Sequence, residues 1–536
     1  MQPAAAYPHP DHEVIPIRRT PTMRLRTLAL SAVVIPLAFA ACAAPASGPA
    51  PRTAARVLPA DAPPPALEAI TEAELRRDVF AMAADSFRGR EAGELDEMRA
   101  SVWVAERARE AGLRPAGDDG TYFQFFPLRR VRIAGNSHVT LGGAELALAR
   151  DVVVTAPVDA RVDLPVVWVG AGREADVAGM DLRGKAVAAL TGAPNTVPVR
   201  EISLWSRRYT QAAIRDRAAF LAERGAAAVI LVSDSVAETQ FAVTGAAMLR
   251  GRYALADAGE QRPAGAPPVL WVRGSMREAL QRPGARLVAE LASESFVYPS
   301  VNVVAVAPGM DDGLRGEYVL FSGHQDHDGM RVPVAGDSIW NGADDNATAS
   351  VAMLAIGRAF VRQPGRRSAL FVWHGAEERG LLGSRWFVRH PTVPRASIAA
   401  VLNGDMIGRN HPDSAALLGV VPPHRSSGDL VEMAMRANAQ VSRFALDSTW
   451  DATTHPEGWY FRSDHLPYAC ASIPSVFFTT LLHPDYHTPE DEAERIDTAK
   501  LTRATRWMYA TGWFAAQADQ RPRVEPGFRL ERPCTP

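Results

Sequence analysis

Cysteine is scarce in this chain: three occur in 536 residues, at Cys42, Cys470 and Cys534. They form no CxxC pair and no Cys/His zinc-knuckle spacing, so thiolate-held structural metals and dithiol redox chemistry have no basis here. Charge of one sign is also missing. A formal net charge of −2 gives no electrostatic reason to expect nucleic acid as a partner. The apolar stretch at 28–41 is short and contains Pro36, too little to span a bilayer comfortably. A nucleophilic-serine elbow, an HExxH helix and a phosphate-binding glycine loop are absent as well, which removes three common hydrolase and nucleotide chemistries.

What is present fits an exported globular protein of two or more domains. Hydrophobic residues make up 47% and charged residues 22%, as in ordinary packed domains. Arg24 and Arg26 precede the apolar stretch, which ends in small residues around Cys42; this is the pattern of a secretory signal peptide over 1–42. Met23 would give that leader a conventional length. Phe39-Ala40-Ala41-Cys42 resembles a bacterial lipobox, so the expected location is the periplasm, the outer membrane through a lipidated Cys42, or the medium. Ordinary cleavage nearby is the competing reading. Residues 43–66 form an Ala/Pro-rich tether. Export makes a Cys470–Cys534 disulfide feasible; two free thiols are the alternative.

Thr71 and Glu74 form a capping-box pattern ahead of a helix. A second helix is expected over 95–111, with Gly112 as its stop. Strand-like runs follow at 123–127 and 130–133. Between 137 and 294 short β-rich runs appear, with a helix over 211–224 leading into the apolar run 226–232. From Asn302 onward, runs at 302–307, 318–322, 368–373 and 398–402 have the continuous Val/Leu/Phe character of strands buried on both faces, with a helix over 347–361 between them. The alternation predicts an α/β fold with a mostly parallel, helix-flanked mixed sheet. Such sheets bind ligands beyond the C-terminal ends of their strands.

Five short motifs follow those runs: GHQD at 323–326, NGADDN at 341–346, HGAEE at 374–378, LNGDMIG at 402–408 and DYHTPED at 485–491. They present His324, Asp345, Glu378, Asp405 and His487 in order. Two imidazoles and three carboxylates suit a pair of zinc ions sharing one carboxylate, with a position left open for water. Isolated, each would read as a loop residue or a satisfied polar group; together they do not. Asp344, His327 and Asp328 read as loop polarity or pocket lining, and His483 as a surface or loop residue. His374, Asp464 and His465 divide between cleft lining and plain hydrogen bonding.

In order and wording the motifs resemble the secreted co-catalytic di-zinc aminopeptidases, whose superfamily includes glutamate carboxypeptidases and transferrin receptors. The phrase at 85–126 looks like the N-terminal part of these enzymes. GMDLRGKAVAAL at 179–190 and RAAFLAERGAAAVILVSD at 217–234 resemble the protease-associated domain. The resemblance implies a zinc-exopeptidase fold built from 67–136 and 295–520, a β-rich protease-associated insertion at 137–294 without catalysis of its own, and a tail at 521–536. It implies two Zn²⁺ per subunit: His324 and Asp405 private to one ion, Glu378 and His487 to the other, Asp345 bridging. Glu377 would be the general base, Asp326 the carboxylate that orients His324, and Tyr486 a phenol stabilising the oxyanion. A cis peptide between Asp345 and Asn346 is also implied. The expected substrates are peptides with a free N-terminus. A carboxypeptidase acting on acidic C-termini, a single-zinc glutaminyl cyclase-like use and an inactive binding ectodomain are the alternatives. Preferred residue and oligomeric state are not legible.

Overall fold

The computed structural model describes residues 63–192, 203–258 and 266–534. The signal peptide, Cys42 and nearly all of the tether lie outside the described residues. No helix among the described residues is long and apolar enough to cross a membrane.

The larger of two main sheets runs in the order Arg252–Leu255, Phe123–Ile133, Ser293–Ala307, Ser368–His374, Tyr318–His324, Ile398–Gly404, Ser475–Thr479, Ser414–Leu418 and Ala445–Leu446. Its centre, from Ser368–His374 to Ser475–Thr479, is parallel. At the margins the pairings are antiparallel apart from Ser414–Leu418 with Ala445–Leu446, so the sheet is the mixed one expected, with its parallel centre carrying the motifs. The central strands are buried on both faces, because helices cover each side. Glu72–Met82, Thr348–Arg362 and Thr498–Gln517 pack on one face. Leu382–Arg389 and His465–Cys470 cover the other. In the core Phe321 stacks on Phe371 with centroids 5.2 Å apart.

The helix starts expected near 72 and 95 hold, whereas the helix expected over 211–224 begins earlier, at Leu204. Thr71 caps Glu72–Met82 by accepting the Glu74 N–H at 3.3 Å. The two short strands expected at 123–127 and 130–133 are one strand, Phe123–Ile133, that pairs along its whole length with Ser293–Ala307. Pro127 sits opposite Pro299, and the neighbouring strand Arg252–Leu255 begins only opposite Leu128. The ladder therefore tolerates a residue without an N–H.

The segment between these paired strands forms its own eight-stranded sheet from His138–Leu141 to Arg286–Leu291. Helices Leu204–Glu223 and Ser235–Leu249 pack on it, with Ile214, Leu221 and Phe241 in its core. The chain leaves the larger sheet at Ile133 and returns opposite it at Ser293. One part of the segment does not stay with it: Arg252–Leu255 lies inside 137–294 yet extends the edge of the larger sheet. Cys470 and Cys534 form a disulfide that ties the tail to helix His465–Cys470.

Candidate metal centre

The parallel strands end together. His324 closes Tyr318–His324 and stands beside His374, the last residue of its neighbour; Asp405 directly follows Ile398–Gly404. Past His374 the chain turns sharply at Ala376 (φ 53°) and presents Glu377 and Glu378. Asp345 lies in the turn that opens helix Thr348–Arg362, with a cis peptide to Asn346. The Asp491 carboxylate grips that turn, accepting the N–H groups of Asp344 and Asp345 at 3.0 and 3.1 Å. His487 comes from the loop after Ser475–Thr479, with φ 51°.

The five expected ligands converge, although more than 160 positions separate the first from the last. His324 Nε2 lies 3.1 Å from Asp345 Oδ1 and 3.5 Å from Asp405 Oδ1. His487 Nε2 lies 3.0 Å from Asp345 Oδ2 and 3.1 Å from Glu378 Oε1. Asp345 thus turns one oxygen to each histidine, the disposition a bridging carboxylate requires. The donor atoms form two groups, one of His324, Glu377 and Asp405 and one of His327, Asp345, Glu378 and His487.

A cation pair fits this chemistry. His324 Nε2, Glu378 Oε1 and Asp405 Oδ1 are buried and have no hydrogen-bond partner, an expensive arrangement for a protein to leave uncompensated. Four carboxylates crowd the same space. Burial pushes the Glu377 carboxyl well above its usual range, opposed by His324 and reinforced by Glu378 and Asp464. Burial likewise pushes Asp464 up to about 7. Burial lowers the pKa of His487, and Glu378 and Asp328 more than offset this, raising it to about 10.

Asp326 does not act on His324 as expected. His324 Nδ1 meets the main-chain carbonyl of Asp326 at 3.1 Å, while the carboxylate stands 3.9 Å away. That carboxylate instead accepts the N–H groups of Glu377 and Glu378 at 3.0 and 3.3 Å, fixing the acidic turn. Tyr486 lies at the centre: its ring stacks on His487 at 3.9 Å and its hydroxyl accepts from Arg462 at 2.8 Å.

Several residues acquire roles that the sequence did not signal. His327 was read as lining, but its Nδ1 lies 2.9 Å from Glu378 Oε1, inside the second donor group. Asp328 backs His487 at 3.5 Å and is held by Arg331 and Arg379. His483 is buried beside Asp344 rather than at the surface. Asp344 joins neither donor group; it accepts from Gly408 N–H at 2.7 Å. His374 is a satisfied core histidine, bonded to Asn302 and Tyr468. Spacing could have flagged His327, three residues after His324. Nothing local could have flagged Arg462.

Comparison with known proteins agrees with this geometry. Residues 302–511 match the model of peptidase family M28. Aminopeptidase YwaD of Bacillus subtilis is 30% identical over 190 residues, 34% of this chain and 40% of that protein. A probable leucine aminopeptidase of Arthroderma otae is 27% identical over 262 residues, 47% of this chain and 65% of that one. The chain thus spans less than two thirds of either relative. The zinc aminopeptidase BSAP from Bacillus subtilis superposes with a TM-score of 0.54 at 18% identity, covering 83% of this chain and 96% of that structure; the fold is shared. The segment that matches peptidase family M28, 302–511, contains every residue of the centre from His324 to His487.

Proposed function

We propose that the protein is an exported zinc-dependent aminopeptidase that hydrolyses the first peptide bond of peptides with a free N-terminus. The observation that carries this reading is the pair of donor groups sharing Asp345, set at the ends of parallel strands in an M28 segment. His324, Asp405 and Asp345 would hold one zinc; Glu378, His487 and Asp345 the other, with His327 beside them. The bound pair would supply Lewis-acid polarisation of the scissile carbonyl and acidify water.

The chain's own groups do the rest. Glu377 accepts a proton from the attacking water and returns it to the leaving amine. Its place beside His324 and Asp405 suits a group that takes a proton from water and gives it back. Asp326 holds that turn by its two N–H groups. Tyr486, with Arg462 donating to its hydroxyl, faces the developing oxyanion. The leader at 1–42 and the disulfide support action outside the cytoplasm, and Cys42 supports attachment to a membrane.

Purified protein reconstituted with zinc should bind two ions per chain and cleave leucine p-nitroanilide but not its N-acetylated form. Equal turnover of the blocked substrate would overturn the aminopeptidase reading. A single bound zinc with full activity would overturn the two-ion centre.

A further inference from the structure

A cleft of about 240 Å³ opens onto the second donor group, with Glu378, Tyr486 and His487 on its floor. Its roof comes from the inserted segment, through helices Leu204–Glu223 and Ser235–Leu249. Four guanidinium groups line it, those of Arg207, Arg208, Arg331 and Arg462, against two carboxylates, Asp328 and Glu378.

Those two carboxylates are already engaged. Asp328 pairs with Arg331 and, at 3.2 Å, with Arg379; Glu378 faces His327 and His487. Arg208 and Arg462 share a single carboxylate, that of Glu457, and Arg462 also donates to the Tyr486 hydroxyl. Arg207 meets no carboxylate within ion-pair distance among the described residues. Its N–H groups go to the main-chain carbonyls of His487 and Tyr486, at 2.6 and 3.0 Å; these are neutral, and the carboxylate that most favours its charge, Asp328, is already paired with Arg331 and Arg379. Two buried donors on the lining, Trp340 Nε1 and Arg331 Nε, have no acceptor in the protein. Leu204, Val243 and Ala247 supply apolar wall. The cleft therefore carries surplus positive charge and unfilled donors beside a short hydrophobic surface.

We propose that the inserted segment gives the site a carboxylate-binding subsite, anchored by Arg207 with Arg208 and Arg462 around it. It selects peptides that place a carboxylate, on a short aliphatic stem, next to the scissile bond. Guanidinium–carboxylate hydrogen bonds are strong where water is partly excluded, and a cationic substrate side chain would be repelled. The carboxylate has two sources: the side chain of an acidic residue, or the C-terminus of a very short peptide. This rests on the peptidase reading, but it can fail separately.

Two substrate pairs distinguish the sources on the full-length zinc-loaded protein: glutamyl against glutaminyl p-nitroanilide, and leucyl-glycine against leucyl-glycinamide. One pair should show a KM about tenfold lower for the carboxylate member, as a charged hydrogen bond of ordinary strength implies. In Arg207→Met that preference should fall to within about threefold, with Arg207→Lys in between. Equal KM values within both pairs of the wild-type protein would overturn the subsite. If no free-amine substrate is cleaved, the activity reading fails instead. Calorimetry with glutarate against glutaramide then reads the subsite directly: binding of glutarate that weakens about tenfold in Arg207→Met sustains it, and equal binding of the two ligands ends it. Should Arg207→Met not fold, Arg208→Gln carries the same comparison.

Discussion

Glu377 and Glu378 are neighbours with different tasks in this reading, and Glu377→Gln separates them. Glu377 belongs to the donor group of His324 and Asp405, so it could be read as a ligand rather than a base. Distance argues for the base: Glu377 Oε2 stands 3.9 Å from His324 Nε2, while Asp345 and Asp405 stand at 3.1 and 3.5 Å. Glutamine is isosteric, and the turn is held through the main-chain N–H groups of both residues, so the substitution leaves the frame intact. It removes a buried carboxyl whose ionisation Glu378, Asp405 and Asp464 oppose. The metal-free variant should therefore unfold at a temperature no lower than wild type. Loss of a positioned general base lowers turnover by about 10²–10⁴, which corresponds to roughly 2.7–5.5 kcal/mol of barrier. Stopped-assay kcat on aminoacyl p-nitroanilides, beside zinc content by plasma mass spectrometry, makes the measurement. Undiminished kcat would refute the base assignment. Loss of one zinc per chain would show instead that Glu377 is a ligand.

Tyr486→Phe should lower kcat by about 10² with little change in KM, since the hydroxyl is needed only as the oxyanion forms; a change confined to KM would count against that role. Gly342→Ala should lose zinc readily on dialysis and be destabilised by about 1–3 kcal/mol, because its Cβ would stand 2.3 Å from the Asp345 carbonyl oxygen and from His327 Cγ, at φ +59°. Unchanged metal content by mass spectrometry would contradict this. His424 bridges Asp451 at 2.9 Å and Glu531 at 3.1 Å. Burial lowers its pKa, but the two carboxylates outweigh this and hold it above the ordinary imidazole value. Its contribution to stability is then full below about pH 6.5 and is lost as pH rises through the raised folded value. Urea midpoints of wild type and His424→Gln should converge with rising pH; a constant gap would remove the charge argument.

The sequence was most informative where local pattern and function coincide. Strands 318–324, 368–374 and 398–404 could be read because burial on both faces makes them continuously apolar, and a ligand at the end of such a run is placed by the strand itself. His327 was missed because its role comes from the approach of Glu378, a contact made only after two strands align. Arg207 and Arg462 were missed for the same reason at longer range: one arrives on an inserted helix and the other on a short turn before His465–Cys470. The two runs expected at 123–127 and 130–133 proved continuous because the register with Ser293–Ala307 passes through residues 128 and 129 without a break. Arg252–Leu255 falls within the expected insertion, and only its pairing with Leu128–Val131 assigns it elsewhere.

That strand has a mechanical consequence. A module joined only by the entering and leaving strands at Ile133 and Ser293 would pivot about them like a door on one edge. Arg252–Leu255 fastens it to the same sheet a second time, and Arg250, just ahead of that strand, pairs with Glu91 and donates to the Met330 carbonyl on the peptidase side. Two fastenings turn a hinge into a bracket. Arg207, in contact with the main chain of His487, is thereby held in place from both sides of the cleft.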